Sequence, residues 1–166
     1  ERLSVGWLER RIPAEIVAYP RVIEIGHKII AQAFSTQVIH PGITTTDDVV
    51  WWMRQTMHDT GLEAWFHPTI DIQAEGFSFK AINSGDREER NVIMPGDLLH
   101  CDMGFYYLGL ATDQQQHAYV LKPHETDVPQ GIKNALKVGN RLQDIHMEEM
   151  KIGRTGNEVL KSALQR

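Results

Sequence analysis

The residues able to do chemistry concentrate between Leu98 and Leu121, where two runs with the composition of strands flank Tyr107-Leu108. Side chains on a strand alternate between faces. That places Leu98, His100, Asp102 and Gly104 on one side of the first run, and Asp113, Gln115, His117 and Tyr119 on one side of the second. A turn at Tyr107-Leu108 sets Asp102 across from Asp113 and His100 across from Gln115. Opposed residues have Cβ atoms only about 4.5–5.5 Å apart, and like charges there are destabilising. Asp102 also sits among Leu98, Leu99, Cys101 and Met103, company in which an unpaired carboxylate is costly. One divalent cation, or two about 3.5–4 Å apart, would remove both penalties by taking carboxylate oxygens at about 2.0–2.2 Å. Two solvated carboxylates, or a pair neutralised by an Arg or Lys from elsewhere, fit the spacing equally well.

Other candidates surround this pair. His100 and His117 share the carboxylate face and would orient the two Asp side chains, or else act as ligands of a mononuclear His-x-Asp site. His67, just before Pro68, is a candidate catalytic group lining a cleft; packing beside Trp65 and Phe66 is the plainer role. Cys101 points to the opposite, apolar face and reads as a small core residue. Of Trp51 and Trp52, one belongs to the core and the other covers a neighbouring sheet or partner lobe. Lys133, Lys137 and Arg141 form a solvated helix face, and His27, His40, His58, His124 and His146 belong to no motif.

Elements on both sides must hold this hairpin. Pro13 to Phe34 reads as helical through Val22, Ile25, Ile29 and Ala33, with Pro20 marking a break or a new start. After the turn His40-Pro41-Gly42, the run Thr44-Thr45-Thr46-Asp47-Asp48 caps an amphipathic helix carrying Val49, Trp52, Met53 and Met57, which ends before Gly61. Trp65 to Gln73 alternates as a strand, Glu75 to Arg90 is a long polar loop, and Met94-Pro95-Gly96-Asp97 is a turn into the hairpin. Pro129 to about Met150 is a helix through Ile132, Ala135, Leu136, Leu142 and Ile145. Gly153 stops it, and Thr155-Gly156-Asn157-Glu158 is a capping box opening the last helix. Helices early and late around an antiparallel strand block make the class α+β.

A chain of 166 residues is one domain, or one half of a larger two-lobed one, without room for two independent cores. With 17 Lys and Arg against 22 Asp and Glu, the formal charge of −5 argues against nucleic acid or an anionic membrane as partner. The single Cys101 excludes an intrachain disulfide and a cysteine-rich metal site. Val49 to Met53, the longest apolar run, falls far short of the ~20 residues of a membrane helix. The sequence opens at Glu1 without Met or leader and closes inside a helical pattern, so an incomplete chain is expected.

The run Pro95-Gly96-Asp97-Leu98-Leu99-His100-Cys101-Asp102-Met103-Gly104, followed by Tyr107, Gly109 and Thr112-Asp113, resembles the first metal-ligand hairpin of the pita-bread metallopeptidases. These include methionine aminopeptidase, Xaa-Pro aminopeptidase and prolidase, with creatinase as a relative that lacks the metal. Their pattern is a Pro-Gly-Asp turn, an Asp-x-Gly strand and a second Asp eleven positions after the first, the interval between Asp102 and Asp113. Trp65-Phe66-His67-Pro68 and Leu98 to Asp102 look most like a bacterial branch of Xaa-Pro peptidases. The likeness is specific over residues 94–121 and looser over most of the chain.

This resemblance implies the N-terminal half of a pita-bread fold, an antiparallel sheet with helices packed on one face. Residues 1–166 would then be a single incomplete catalytic domain lacking its C-terminal lobe. It also implies that Asp102 binds one metal with both oxygens and that Asp113 bridges two, commonly manganese, cobalt or zinc. The two divalent ions would activate a water and polarise the scissile carbonyl of a peptide substrate cut at its N-terminal end, with proline second. In the family a His and two Glu from the later half complete the site, so this chain alone is expected to be inactive. Two departures stand out: a substrate-facing His falls at Lys80, and Gln115 and Gln116 replace a Thr and an Arg. They favour the alternative reading, a non-catalytic interaction module of the same fold; the retained Asp pair favours the peptidase. A half fold would expose an apolar face and self-associate. The cytoplasm is the favoured compartment, and the incomplete N-terminus leaves export open.

Overall fold

The computed structural model describes residues 2–76 and 90–166, so most of the polar stretch Glu75 to Arg90, with Lys80, lies outside the described residues. In chain order the elements are α1 (Arg2–Leu8), α2 (Pro13–Ala33), α3 (Thr46–Asp59), β1 (Glu63–Ala64), β2 (Thr69–Gln73), β3 (Leu98–Met103), β4 (Phe105–Tyr107), β5 (Leu110–Ala111), β6 (Gln114–Tyr119), α4 (Gln130–Glu149) and α5 (Gly156–Ala163). They form two compact units, Glu1–Pro123 and His124–Arg166. The combination of helices with antiparallel sheets is the α+β class expected from the sequence.

In the first unit, α2 and α3 cover one face of the sheet β2-β3-β6. Ile70, Leu99, Cys101 and Met103 point into that core, where they meet Val22, Ile29, Ile30, Val49, Met53 and Met57. Alternation along β3 decides this: Leu99, Cys101 and Met103 are buried, whereas Leu98, His100 and Asp102 keep partial exposure. The entry of α3 is fixed by a reciprocal cap. Thr45 Oγ1 accepts from the Asp48 N–H at 3.1 Å, and Asp48 Oδ2 accepts from the Thr45 N–H at 2.8 Å.

Helix α2 runs unbroken through Pro20, against the expected break. Proline removes the bond to the carbonyl four residues back. Ile16, whose carbonyl is freed, is exposed, so water can satisfy it, and only the later half of α2 is buried. The strand expected over Trp65 to Gln73 shrinks to Thr69–Gln73, because Pro68 has no ladder donor and restricts His67 before it.

The expected hairpin is real, but it is divided between two sheets and its register differs by two residues. The turn lies at Leu108-Gly109, both at positive φ (51° and 75°), between the paired Tyr107 and Leu110. A tight two-residue turn needs that geometry at both central positions, and Gly109 supplies it where Tyr107 would not. Asp102 therefore pairs with Gln115 and His100 with His117, in place of the anticipated Asp102–Asp113 and His100–Gln115. The shift is even, so every side chain keeps its face. The strands change sheet at Gly104 and Thr112: Thr112, fully buried, donates its N–H to Phe105 O at 2.9 Å and accepts from the Phe105 N–H at 3.1 Å. Before β3, buried Asp97 closes the Pro-Gly turn by accepting from the Met94 N–H at 2.7 Å and pairing with Arg90 at 2.5 Å.

In the second unit, α4 and α5 meet at Ile145, Val159 and Ala163. Thr155 and Glu158 form the expected capping box. Arg154 links the two helices: it contacts the Glu149 carboxylate and donates to Glu158 O at 2.9 Å and Ser162 Oγ at 2.8 Å, while Arg166 reaches Glu149 at 3.0 Å. Hydrogen bonds from Arg154 and Arg166 hold the Glu149 carboxyl down at about 2, from its ordinary 4.5. A depressed carboxylate stabilises the fold fully above its unfolded value and loses that contribution as pH falls through its folded value. Glu149→Gln should therefore lower the melting temperature at pH 7, and the deficit should shrink as pH falls from 4.5 towards 2. Thermal melts across that range check it, and a deficit that does not change with pH would contradict it.

Candidate metal centre

On the face of β2-β3-β6 turned away from the helices, directly paired residues form polar rows. Asp71, His100 and His117 make one; Thr69, Asp102 and Gln115 make the next. Asp113 follows Thr112 at the sheet switch and sits level with Gly104, between the Met103–Gln114 pair and the Phe105–Thr112 bonds.

A chain of polar contacts ends on Asp102. Gln115 Nε2 donates to Asp102 Oδ2 at 3.1 Å, Gln115 Oε1 lies 3.0 Å from His100 Nε2, and His100 Nδ1 lies 3.6 Å from Asp71 Oδ2. The His100 and His117 rings are 4.9 Å apart. Asp102 Oδ1 is buried and has no hydrogen-bond partner among the described residues. Burial first, then the charge and hydrogen bonding of Asp113, push the Asp102 carboxyl above its ordinary value; His100 and Gln115 pull the other way. Burial, and then the charge of His100, lower His117.

Asp102, Asp113, His100 and His117 thus share one face and one electrostatic neighbourhood. The ring partners of His67 lie elsewhere: Nδ1 is 2.6 Å from Arg54 Nη1, and the indole of Trp51 stands edge-on at 6.2 Å. Trp52 packs against the core and Trp51 remains exposed. Cys101 is wholly buried, and burial together with the neighbouring Asp102 charge pushes its thiol up to about 12, which makes it an inert core residue. Gln115, the direct partner of Asp102, was not marked as a candidate from the sequence. Its signal depended on the register, and a turn placed at Tyr107-Leu108 assigned Gln115 to His100.

The sequence profile of metallopeptidase family M24 matches residues 19–166. The chain belongs to that family. Among solved structures, an X-Pro aminopeptidase from Thermotoga maritima superposes with a TM-score of 0.69 at 20% identity, over 93% of this chain and 41% of that one. A prolidase from Thermococcus sibiricus gives 0.68 at 18% identity, over 93% and 39%. A variant of Escherichia coli aminopeptidase P gives 0.56 at 16%, over 93% and 33%. These likenesses establish the shared fold, and the chain spans about two-fifths of the length of the first two. No curated protein matched.

Whether this M24 chain suits a metal is decided by its own donors. Asp102 and Asp113 offer carboxylate oxygens, hard donors suited to a divalent cation, and Asp102 Oδ1 is a buried acceptor that accepts no hydrogen bond from the described residues. The two residues fit a cation. Among the described residues no group of three or more His, Cys, Asp or Glu side chains could hold a metal ion.

Proposed function

We propose that Asp102 and Asp113 are ligands in the centre of a metal-dependent peptidase that cleaves the N-terminal peptide bond of peptides with proline in second position. The observation that carries this reading is the orphaned Asp102 Oδ1 beside a second carboxylate, in a chain of the M24 family. The names of the similar solved structures, X-Pro aminopeptidase and prolidase, support the choice of bond.

Asp102 and Asp113 would hold two divalent ions, which when bound supply a water that is nucleophilic at neutral pH and an electrophile for the scissile carbonyl. The chain's own contribution is placement. β3 carries Asp102, Asp113 stands immediately before β6, and Gln115 on β6 fixes one Asp102 oxygen. With two carboxylates in hand, the centre requires further ligands from beyond the described residues, and the chain alone is expected to be inactive on this reading.

The test is hydrolysis of a Gly-Pro dipeptide and a Met-Ala peptide, with manganese or cobalt, by the protein expressed from its complete reading frame. Asp113→Asn should lower kcat/KM at least about a hundredfold, the scale on which loss of one charge-stabilising group acts. Unchanged hydrolysis in that variant would overturn the assignment. Absence of hydrolysis in the unsubstituted protein would favour a non-catalytic module.

A further inference from the structure

We infer that Gln115 is a positioning residue for Asp102, and that His100 sets which end of the Gln115 amide faces it. The inference rests on the reading of Asp102 as a metal ligand and goes beyond it to the residues that hold the ligand in place. A carboxylate free to rotate presents its oxygens in many directions. Here one oxygen, Oδ2, accepts from Gln115 Nε2 at 3.1 Å, and the other, Oδ1, is buried without a partner among the described residues. The side chain is therefore held by one oxygen while the other is left for a cation.

An amide can serve this role in one orientation only. Its NH₂ must face the carboxylate, because two oxygens facing each other would repel. His100 would set that choice: with a hydrogen on its Nε2, 3.0 Å from Gln115 Oε1, the ring donates to the amide oxygen and leaves Nε2 of the amide to Asp102. In that form His100 Nδ1, 3.6 Å from Asp71 Oδ2, has no hydrogen to donate, and the ring lies across the strand pair from His117. Two adjacent strands thus contribute one residue each, His100 and Gln115, to a relay ending on Asp102. Outer partners of this kind are worth roughly 10–100-fold in metal affinity.

The experiment uses the protein expressed from its complete reading frame and two readouts. Titration with Mn²⁺, followed by its paramagnetic resonance signal, gives affinity; long-range ¹⁵N correlation of the imidazoles at pH 7.5 reports whether His100 Nε2 carries its hydrogen. Gln115→Leu should weaken Mn²⁺ binding by about tenfold or more and release the His100 ring from its fixed Nε2–H form. His100→Leu should weaken binding less, and His100→Gln, which keeps a donor towards Gln115, should restore it. Circular dichroism checks that each variant folds. If Asp102→Asn abolishes binding but Gln115→Leu leaves both affinity and the His100 signature unchanged, the positioning role is wrong and the ligand assignment survives. If Asp102→Asn itself leaves Mn²⁺ binding intact, the assignment of Asp102 fails, and the positioning role with it.

Discussion

Replacing Asp102 with asparagine is expected to make the metal-free chain more stable. Asparagine keeps the shape and an acceptor for Gln115, gains a donor towards Asp113, and removes the charge that burial and Asp113 both oppose. A gain of about 1 kcal/mol is in keeping with removing one like-charge contact at a site built for function, and corresponds to about 2–4 °C in melting temperature for a chain of this size. The order should reverse when manganese is added, because a cation that binds only the folded state stabilises the unsubstituted chain and gives the variant little. Thermal melts at pH 7 with chelator and then with excess Mn²⁺ check both halves. A variant less stable than the parent in chelator would show that the Asp102 charge is satisfied by the protein itself.

The largest loss of stability is expected from Gly104→Ala. A Cβ on Gly104 would lie 2.3 Å from the Thr112 carbonyl oxygen, 2.4 Å from Trp65 Nε1 and 2.6 Å from Phe66 Cε1. It would intrude on the 2.7 Å hydrogen bond from Trp65 to Thr112, where the hairpin passes from one sheet to the other. A backbone carbonyl and two packed rings cannot step aside, so the expected cost is about 3 kcal/mol or more. Gly26→Ala makes the informative comparison. Its Cβ would collide at 1.7 Å with Gln114 Oε1, the end of a flexible side chain, so adjustment there is cheaper. Urea midpoints should fall well below the parent for Gly104→Ala and by less for Gly26→Ala; the reverse order would contradict the account.

Much of this architecture was legible in the residues. The apolar stripe of α3 and its Thr45–Asp48 cap, the Thr155–Glu158 box, and the turn closed by Asp97 are local features, and local chemistry decides them. The carboxylate pair was legible for the same reason, since face alternation survives an even error in register. The partner of Asp102 was not legible. It depends on whether the chain turns at Tyr107-Leu108 or Leu108-Gly109, and the positive φ at both Leu108 and Gly109 appears only once the strands are paired. Nor was the division of the hairpin into two sheets, which is set by Trp65 and Phe66 closing over Gly104 from a distant part of the sequence. Pro20 misled because the carbonyl it frees, on Ile16, lies on an exposed stretch of α2 where water can satisfy it.

The central claim is that Asp102 and Asp113 together take a divalent cation. It is tested most directly by adding substoichiometric Mn²⁺ to the ¹⁵N-labelled chain and following which amide signals broaden. The account predicts selective broadening of Cys101 to Met103 and Thr112 to Gln114, and its loss in the Asp102→Asn/Asp113→Asn double variant. Broadening centred on other carboxylates, such as Asp47 and Asp48 at the start of α3, or a pattern unchanged in the double variant, would contradict it.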